Sequence, residues 1–273
     1  MRPLSARNPR LAQLSKLVKQ PGERDERRAL VVEGPLLLGA ALDAGANVRE
    51  VYVDEGAADR TGIAAVLDRL PPSIEPWLLA RGALDRIGDV AASQGVLAVV
   101  DRPVPAWPSP EASVRRGGPD GGPGFVLVLA GLQMPGNVGT LIRAAVAAGA
   151  QAVVCAGGVD PTSPKVVRAS AGAWFETDVV TVPSALRVVE RLRSERWTAA
   201  TAVVRGGEPY DEATLVGPIA LVLGSEARGP GPEVEAACDV RVTIPMVGPV
   251  ESLNVAMAGT VLCFELLRRW RAR

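Results

Sequence analysis

The chain has 273 residues, 48% of them apolar, with 30 Lys and Arg balancing 30 Asp and Glu, and no histidine. That length suits one large domain or two ordinary ones with sizeable cores. The missing histidine excludes His-based triads, His-ligated zinc and an imidazole general base. No run approaches the ~18 apolar residues of a membrane span. The start, Met1-Arg2-Pro3-Leu4, lacks an apolar signal core, so a cytoplasmic protein is expected. Cys155, Cys238 and Cys263 lie in apolar surroundings without metal-ligand spacing and read as reduced core residues, so no metal is expected. Zero net charge argues against blanket nucleic-acid affinity. Residues 1–28, however, carry eight basic and three acidic groups, an excess of five. That stretch reads either as a phosphate-attracting patch or as a solvated basic tail.

Asn8-Pro9 predicts a capped helix through about Val18, ended by Pro21-Gly22. Ala29 to Val32 is a strand, and Glu33-Gly34-Pro35 turns into a helix ending near Gly45. A strand at Val48–Val53, a helix around Gly62–Leu70 and a strand near Ile74–Leu79 follow. A short helix from about Ala83 and a strand at Val96–Val100 complete an α/β unit, placed at residues 1–105. Residues 106–124 are crowded with proline and glycine and read as an interdomain linker.

The third segment, 125–273, repeats strand and helix. Phe125–Leu129 is continuously apolar, as a parallel strand covered on both faces requires. A small-residue helix at Asn137–Ala148 is followed by a strand at Ala152–Cys155 and a Ser163-Pro164-capped helix through about Ala171. Val179–Val182 is a strand, Ser184–Glu195 a helix, and Thr198–Val204, Ile219–Leu223 and Val240–Ile244 are strands. A helix running to about Trp270 closes the chain, with Ser252 or Asn254 at its start. The pattern predicts an α/β domain with a mostly parallel sheet.

Open parallel sheets bind ligands beyond the carboxyl ends of their strands. Three such ends carry polar, glycine-bearing segments. The first runs from Gly131 to Arg143, where glycines at a helix start make a natural anion site, or simply form a turn ahead of a solvated cation. In the second, Leu223 to Pro230, Gly224 permits close approach of a ligand to backbone and Glu226 supplies a carboxylate. The third, Val242 to Ala258, joins a strand, a Gly248-Pro249 corner and a polar helix start. Neither a G-x-x-x-x-G-K-[ST] phosphate loop nor a G-x-G-x-x-G turn after a strand is present, which counts against ATPases, dinucleotide oxidoreductases and Rossmann-type methyltransferases.

In order along the chain stand N-x-G-x-x-x-R at Asn137–Arg143, G-S-E at Gly224–Glu226, and I-P-M with S-L-N at Ile244–Asn254. Together these resemble the three motifs of the SpoU (TrmH-like) branch of the SPOUT RNA methyltransferases, over about residues 125–270. Residues 1–105, with Asn8-Pro9, Val32-Glu33-Gly34 and Gln94-Gly95-Val96, resemble the small ribosomal-protein-like RNA-binding domain often found ahead of that catalytic domain. Met134 departs from the pattern, since relatives often place an acidic residue before the proline.

The resemblance implies a homodimer and a C-terminal domain with a deep trefoil knot, a feature nearly absent elsewhere. It implies S-adenosylmethionine as cofactor, touched by Gly224, Ile244 and Leu253, and a catalytic cluster of Asn137, Arg143, Glu226, Ser252 and Asn254. The reaction implied is methyl transfer to a ribose 2′-hydroxyl, with ribosomal RNA favoured over transfer RNA. Alternative readings are methylation of tRNA or of a base nitrogen, and an RNA-binding or assembly factor without catalysis.

Overall fold

The computed structural model describes residues 1–88, 93–111 and 124–272, which fall into two compact units. Unit 1 comprises Met1–Val104 with Thr162–Glu176, and unit 2 comprises Pro105–Pro161 with Thr177–Arg273. The contribution of Thr162–Glu176 to unit 1 differs from the domain boundaries expected above, which placed that stretch in the second domain. Of the expected linker, residues 112–123 lie outside the described residues.

Unit 1 is built on a five-stranded sheet in the order β1-β4-β3-β5-β2. These strands are β1 Arg2–Pro3, β2 Ala29–Glu33, β3 Val48–Asp54, β4 Trp77–Leu79 and β5 Val96–Asp101. β5 runs antiparallel to both β2 and β3, while β1, β4 and β3 are mutually parallel. Leu14, Leu17, Val31, Tyr52, Leu79, Leu84 and Leu97 form its core. Pro21 does not end helical structure as expected. It opens a second helix, Pro21–Arg27, at the first-turn position where its missing N–H costs nothing.

The basic N-terminus is folded rather than a tail. Arg2 pairs with Glu75, Arg10 with Glu50 and Arg27 with Glu23. Arg24 is only 2% exposed. Its guanidinium donates to the carbonyls of Leu17 (2.7 Å) and Val18 (3.0 Å) and to the Thr162 hydroxyl (3.1 Å). Thr162 begins the stretch contributed from far along the chain. Helix Pro164–Ala169 follows, capped by the Ser163 side chain, and packs on β2. There Arg168 meets the buried Glu33 at 3.1 Å. Burial pushes the Glu33 carboxyl above its ordinary value, against the opposing pull of Arg168. Arg24→Ala should strip three buried acceptors of their donor and lower the stability of unit 1 by about 3 kcal/mol, read as an earlier denaturation midpoint.

Unit 2 holds a seven-stranded sheet in the order β10-β12-β9-β11-β6-β7-β8, with every neighbouring pair parallel. The strands are β6 Phe125–Ala130, β7 Ala150–Ala156, β8 Asp178–Val182, β9 Thr198–Ala202, β10 Glu208–Pro209, β11 Ile219–Gly224 and β12 Val240–Thr243. One face packs Val126, Val128, Val154 and Val222 against Val189, Leu192, Trp197 and Val234. The start of the expected linker also docks on this unit, because Trp107 brings an apolar ring into the proline-rich stretch. Its Nε1 donates to Glu195 at 2.8 Å, and the Arg191 guanidinium lies 3.8 Å from the ring centre.

On the opposite face, helix Val255–Arg271 crosses helix Pro135–Ala147 at Gly259. A Cβ there would fall 2.4 Å from Leu141 Cδ2 and 2.5 Å from Leu223 Cδ1. The bare backbone therefore lets the two helices close on each other. Phe125 and Trp270 meet at the far end, with ring centres 5.4 Å apart and planes tilted by 42°. This crossing brings the start of the last helix beside the start of helix Pro135–Ala147.

Candidate active site

β12, β9, β11 and β6 are consecutive and parallel, so their carboxyl ends share one edge of the sheet. The segments that follow them line a cavity of about 780 Å³, within the usual range for small-molecule sites. Its wall includes Gly224, Glu226, Ile244, Ser252, Leu253 and Asn254 of the predicted site residues. Ala202 at the end of β9, Val203 to Arg205 after it, and Leu262 of the last helix also line the cavity and lie outside the three candidate segments. The available signal was the carboxyl end of β9 with Gly206-Gly207 directly after Arg205, but none of the three motifs falls there.

Asn137, Glu226 and Asn254 meet through a directed chain of hydrogen bonds. Asn254 Nδ2 donates to Asn137 Oδ1 at 3.3 Å, and Asn137 Nδ2 donates to Glu226 Oε1 at 2.7 Å. The Asn254 Oδ1 accepts from the Ala256 amide at 2.8 Å, which makes Asn254 the cap of the last helix. The chain thus ties the start of one helix to the first turn of the other and to the turn after β11. Asn137 is 8% exposed, so its amide is held in one orientation by partners on both ends.

Helix Pro135–Ala147 has no cap from its own N-cap residue, Met134. Glu226 does that work from the end of the neighbouring strand, since β11 pairs with β6. Partial burial pushes its carboxyl up, but bonds from the Asn137 amide and from the Glu226, Gln133 and Met134 backbone N–H groups outweigh this and hold it below the ordinary carboxylate value. A carboxylate at a helix N-terminus gains from the free amides there. Its stabilising contribution is therefore complete above the unfolded pKa and is lost as pH falls through the lower folded value. Glu226→Gln should flatten that acid limb of an equilibrium denaturation profile below pH 4.5, the ordinary value.

The remaining predicted residues stand apart from this cluster. Ser252 is exposed on the cavity wall and makes no side-chain hydrogen bond among the described residues. Arg143, on the same helix as Asn137, is exposed, lies outside the cavity lining and has no ion-pair partner among the described residues. The backbone N–H groups of Met246, Ser252 and Leu253 also make no hydrogen bond among those residues. No group of metal-ligating side chains occurs among them, and no helix there is long and apolar enough to cross a membrane.

The profile of the SpoU rRNA Methylase family matches residues 124–264. The chain is 30% identical over 265 residues to the 23S rRNA (guanosine(2553)-2′-O)-methyltransferase RlmP of Bacillus subtilis, covering 96% of this chain and 97% of that one. It is 30% identical over 276 residues to the 23S rRNA (uridine(2479)-2′-O)-methyltransferase of Streptomyces viridochromogenes, covering 98% and 92%. Its fold is similar to the crystal structure of the SpoU methyltransferase AviRb from S. viridochromogenes in complex with AdoMet. That match has a TM-score of 0.83 and 27% identity, over 96% of this chain and 98% of that one. With the family profile matched across more than half its length and relatives aligned nearly end to end, the chain belongs to the SpoU rRNA methylase family.

Proposed function

We propose that the protein transfers a methyl group from S-adenosylmethionine to a ribose 2′-hydroxyl of ribosomal RNA, in the cytoplasm. The observation that carries this reading is the Asn254–Asn137–Glu226 chain at the wall of the strand-end cavity, in a chain of this family. The cavity suits the cofactor on three counts: its volume, the apolar side chains of Ile244, Leu253 and Leu262, and the unspent amides of Met246 and Leu253. When bound, S-adenosylmethionine supplies an electrophilic methyl on a sulfonium. Gly224, Ile244 and Leu253 would hold it, the first through the backbone that lines the cavity at the end of β11.

The transfer is an in-line displacement, so positioning of the sugar oxygen carries much of the rate. Asn254, tied through Asn137 to Glu226, presents a fixed amide to the ribose, and Ser252 offers a hydroxyl on the same cavity wall. Arg143 supplies a planar guanidinium, a fork of donors with no acceptor. Its role is to hold a phosphate and stabilise the developing alkoxide, while water or an RNA phosphate takes the proton.

The protein acts as a homodimer. Met257, Val261 and Phe264 support this, forming one stripe of the last helix that stays 63%, 36% and 45% exposed. The carboxyl-terminal segment is threaded as a deep trefoil knot, and residues 1–105 serve as the RNA-binding domain. Sedimentation of the purified chain at a monomer mass would remove the dimer, and an unthreaded crystal structure would remove the knot. The reaction is tested by incubating ribosomal RNA with methyl-labelled cofactor and analysing the nucleosides. A 2′-O-methylated nucleoside is the expected product, and a base-methylated one would overturn the chemistry.

A further inference from the structure

Five charged side chains line the cavity: Arg205, Glu226, Arg228, Glu235 and Glu251. Four of them have partners. Arg205 lies 3.9 Å from Glu251, Glu235 is 3.0 Å from Arg241, and Glu226 is held by Asn137. Arg228 alone makes no ion pair or side-chain hydrogen bond among the described residues, although Glu226 is two positions away. The carboxylate that would neutralise it is committed to the start of helix Pro135–Ala147.

The backbone carrying Arg228 is fixed, unlike that of an ordinary surface arginine. Ser225 and Gly229 exchange amide-to-carbonyl bonds of 2.9 Å in both directions, and the Arg228 amide donates to the Ser225 hydroxyl at 3.3 Å. Gly224 sits so close beneath the turn that a Cβ would fall 1.8 Å from Pro230 N. An uncompensated guanidinium is thus presented from a rigid turn, on the same five-residue stretch that supplies Glu226. Such a charge placed at the wall of a reaction site is spent on an anion.

We infer that Arg228 is a positioning residue that takes a phosphodiester of the RNA strand beside the target ribose. The inference rests on the RNA-methylating reading above and adds a second cation to it, on a different element from Arg143. Arginine binds phosphate through a planar fork of donors, which sets the orientation of the strand as well as its affinity. The same fork would accept a carboxylate of the methyl donor, so the two anions must be separated by measurement.

The experiment compares wild type with Arg228→Gln and Arg228→Lys. It reads kcat and KM for ribosomal RNA over a range of salt, RNA affinity without turnover by anisotropy, and S-adenosylmethionine affinity by calorimetry. For Arg228→Gln, KM for RNA should rise about tenfold, and the slope of log affinity against log salt should shrink by about 0.7 to 1, one phosphate contact. The kcat, the cofactor affinity and the thermal midpoint should stay within error of wild type, and Arg228→Lys should restore the salt slope. Unchanged RNA affinity and slope would overturn the proposal. So would weakened cofactor binding with RNA terms intact, which would assign Arg228 to the donor. Failure of the functional reading itself would show differently, as wild-type protein that binds RNA but forms no 2′-O-methylated nucleoside.

Discussion

Arg143→Ala should lower kcat by about 10² to 10³-fold, the cost of removing one charge that stabilises a transition state, while cofactor affinity and thermal unfolding stay at wild-type levels. The separation follows from where the residue stands. Asn137 is anchored in the first turn of helix Pro135–Ala147, and Arg143 lies farther along it, exposed and outside the cavity wall. It spends no hydrogen bond on the fold among the described residues, so its truncation leaves no buried group orphaned. Single-turnover kinetics with ribosomal RNA, alongside calorimetry with S-adenosylmethionine, reads the two effects separately. If cofactor affinity fell together with kcat, the side chain would be supporting the cavity and not the reaction.

Gly224→Ala should abolish cofactor binding and cost more than about 3 kcal/mol of stability, at the severe end for a single methyl. The added Cβ would lie 1.8 Å from Pro230 N and 1.9 Å from the Gly229 carbonyl carbon, both backbone atoms that have no rotamer to escape into. Relief requires opening the Ser225–Gly229 bridge, which carries Glu226 and Arg228 with it. Gly136→Ala is the matched control. A Cβ there meets nothing within 4 Å, and the position lies in the first turn of a helix, so that variant should bind normally. Calorimetry and thermal unfolding of the two proteins side by side decide the point. Equal behaviour would mean that the turn after β11 is softer than its hydrogen bonds imply.

The alternation of apolar runs with small-residue helices made the parallel sheet of unit 2 legible, because both kinds of element depend on periodicity within a few residues. Asn137, Glu226 and Asn254 could be picked out by their motifs, yet the bonds between them span 89 and 117 positions. No local pattern encodes such a bond. The same holds for Glu226 as the cap of a distant helix: Met134 at the N-cap looks like a missing signal until the partner from β11 is in place. Pro21 was misleading for a different reason, since proline both stops a helix and starts one, and only the left-handed Arg28 marks the true end. Two-residue strands such as β10 carry too few side chains to show any period. The allegiance of Thr162–Glu176 rests on Arg24 and Glu33, 138 and 135 positions upstream of their partners.

That allegiance bears on how the polypeptide is made. During synthesis the ribosome releases the first 104 residues well before Thr162 and Arg168 exist, so Arg24 waits for its bond to the Thr162 hydroxyl and Glu33 for its ion pair. The front unit thus finishes assembly only after β6 and β7 of the other sheet have been translated. A fragment cut at residue 105 would purify as an incomplete body, prone to self-association through the bare face of β2.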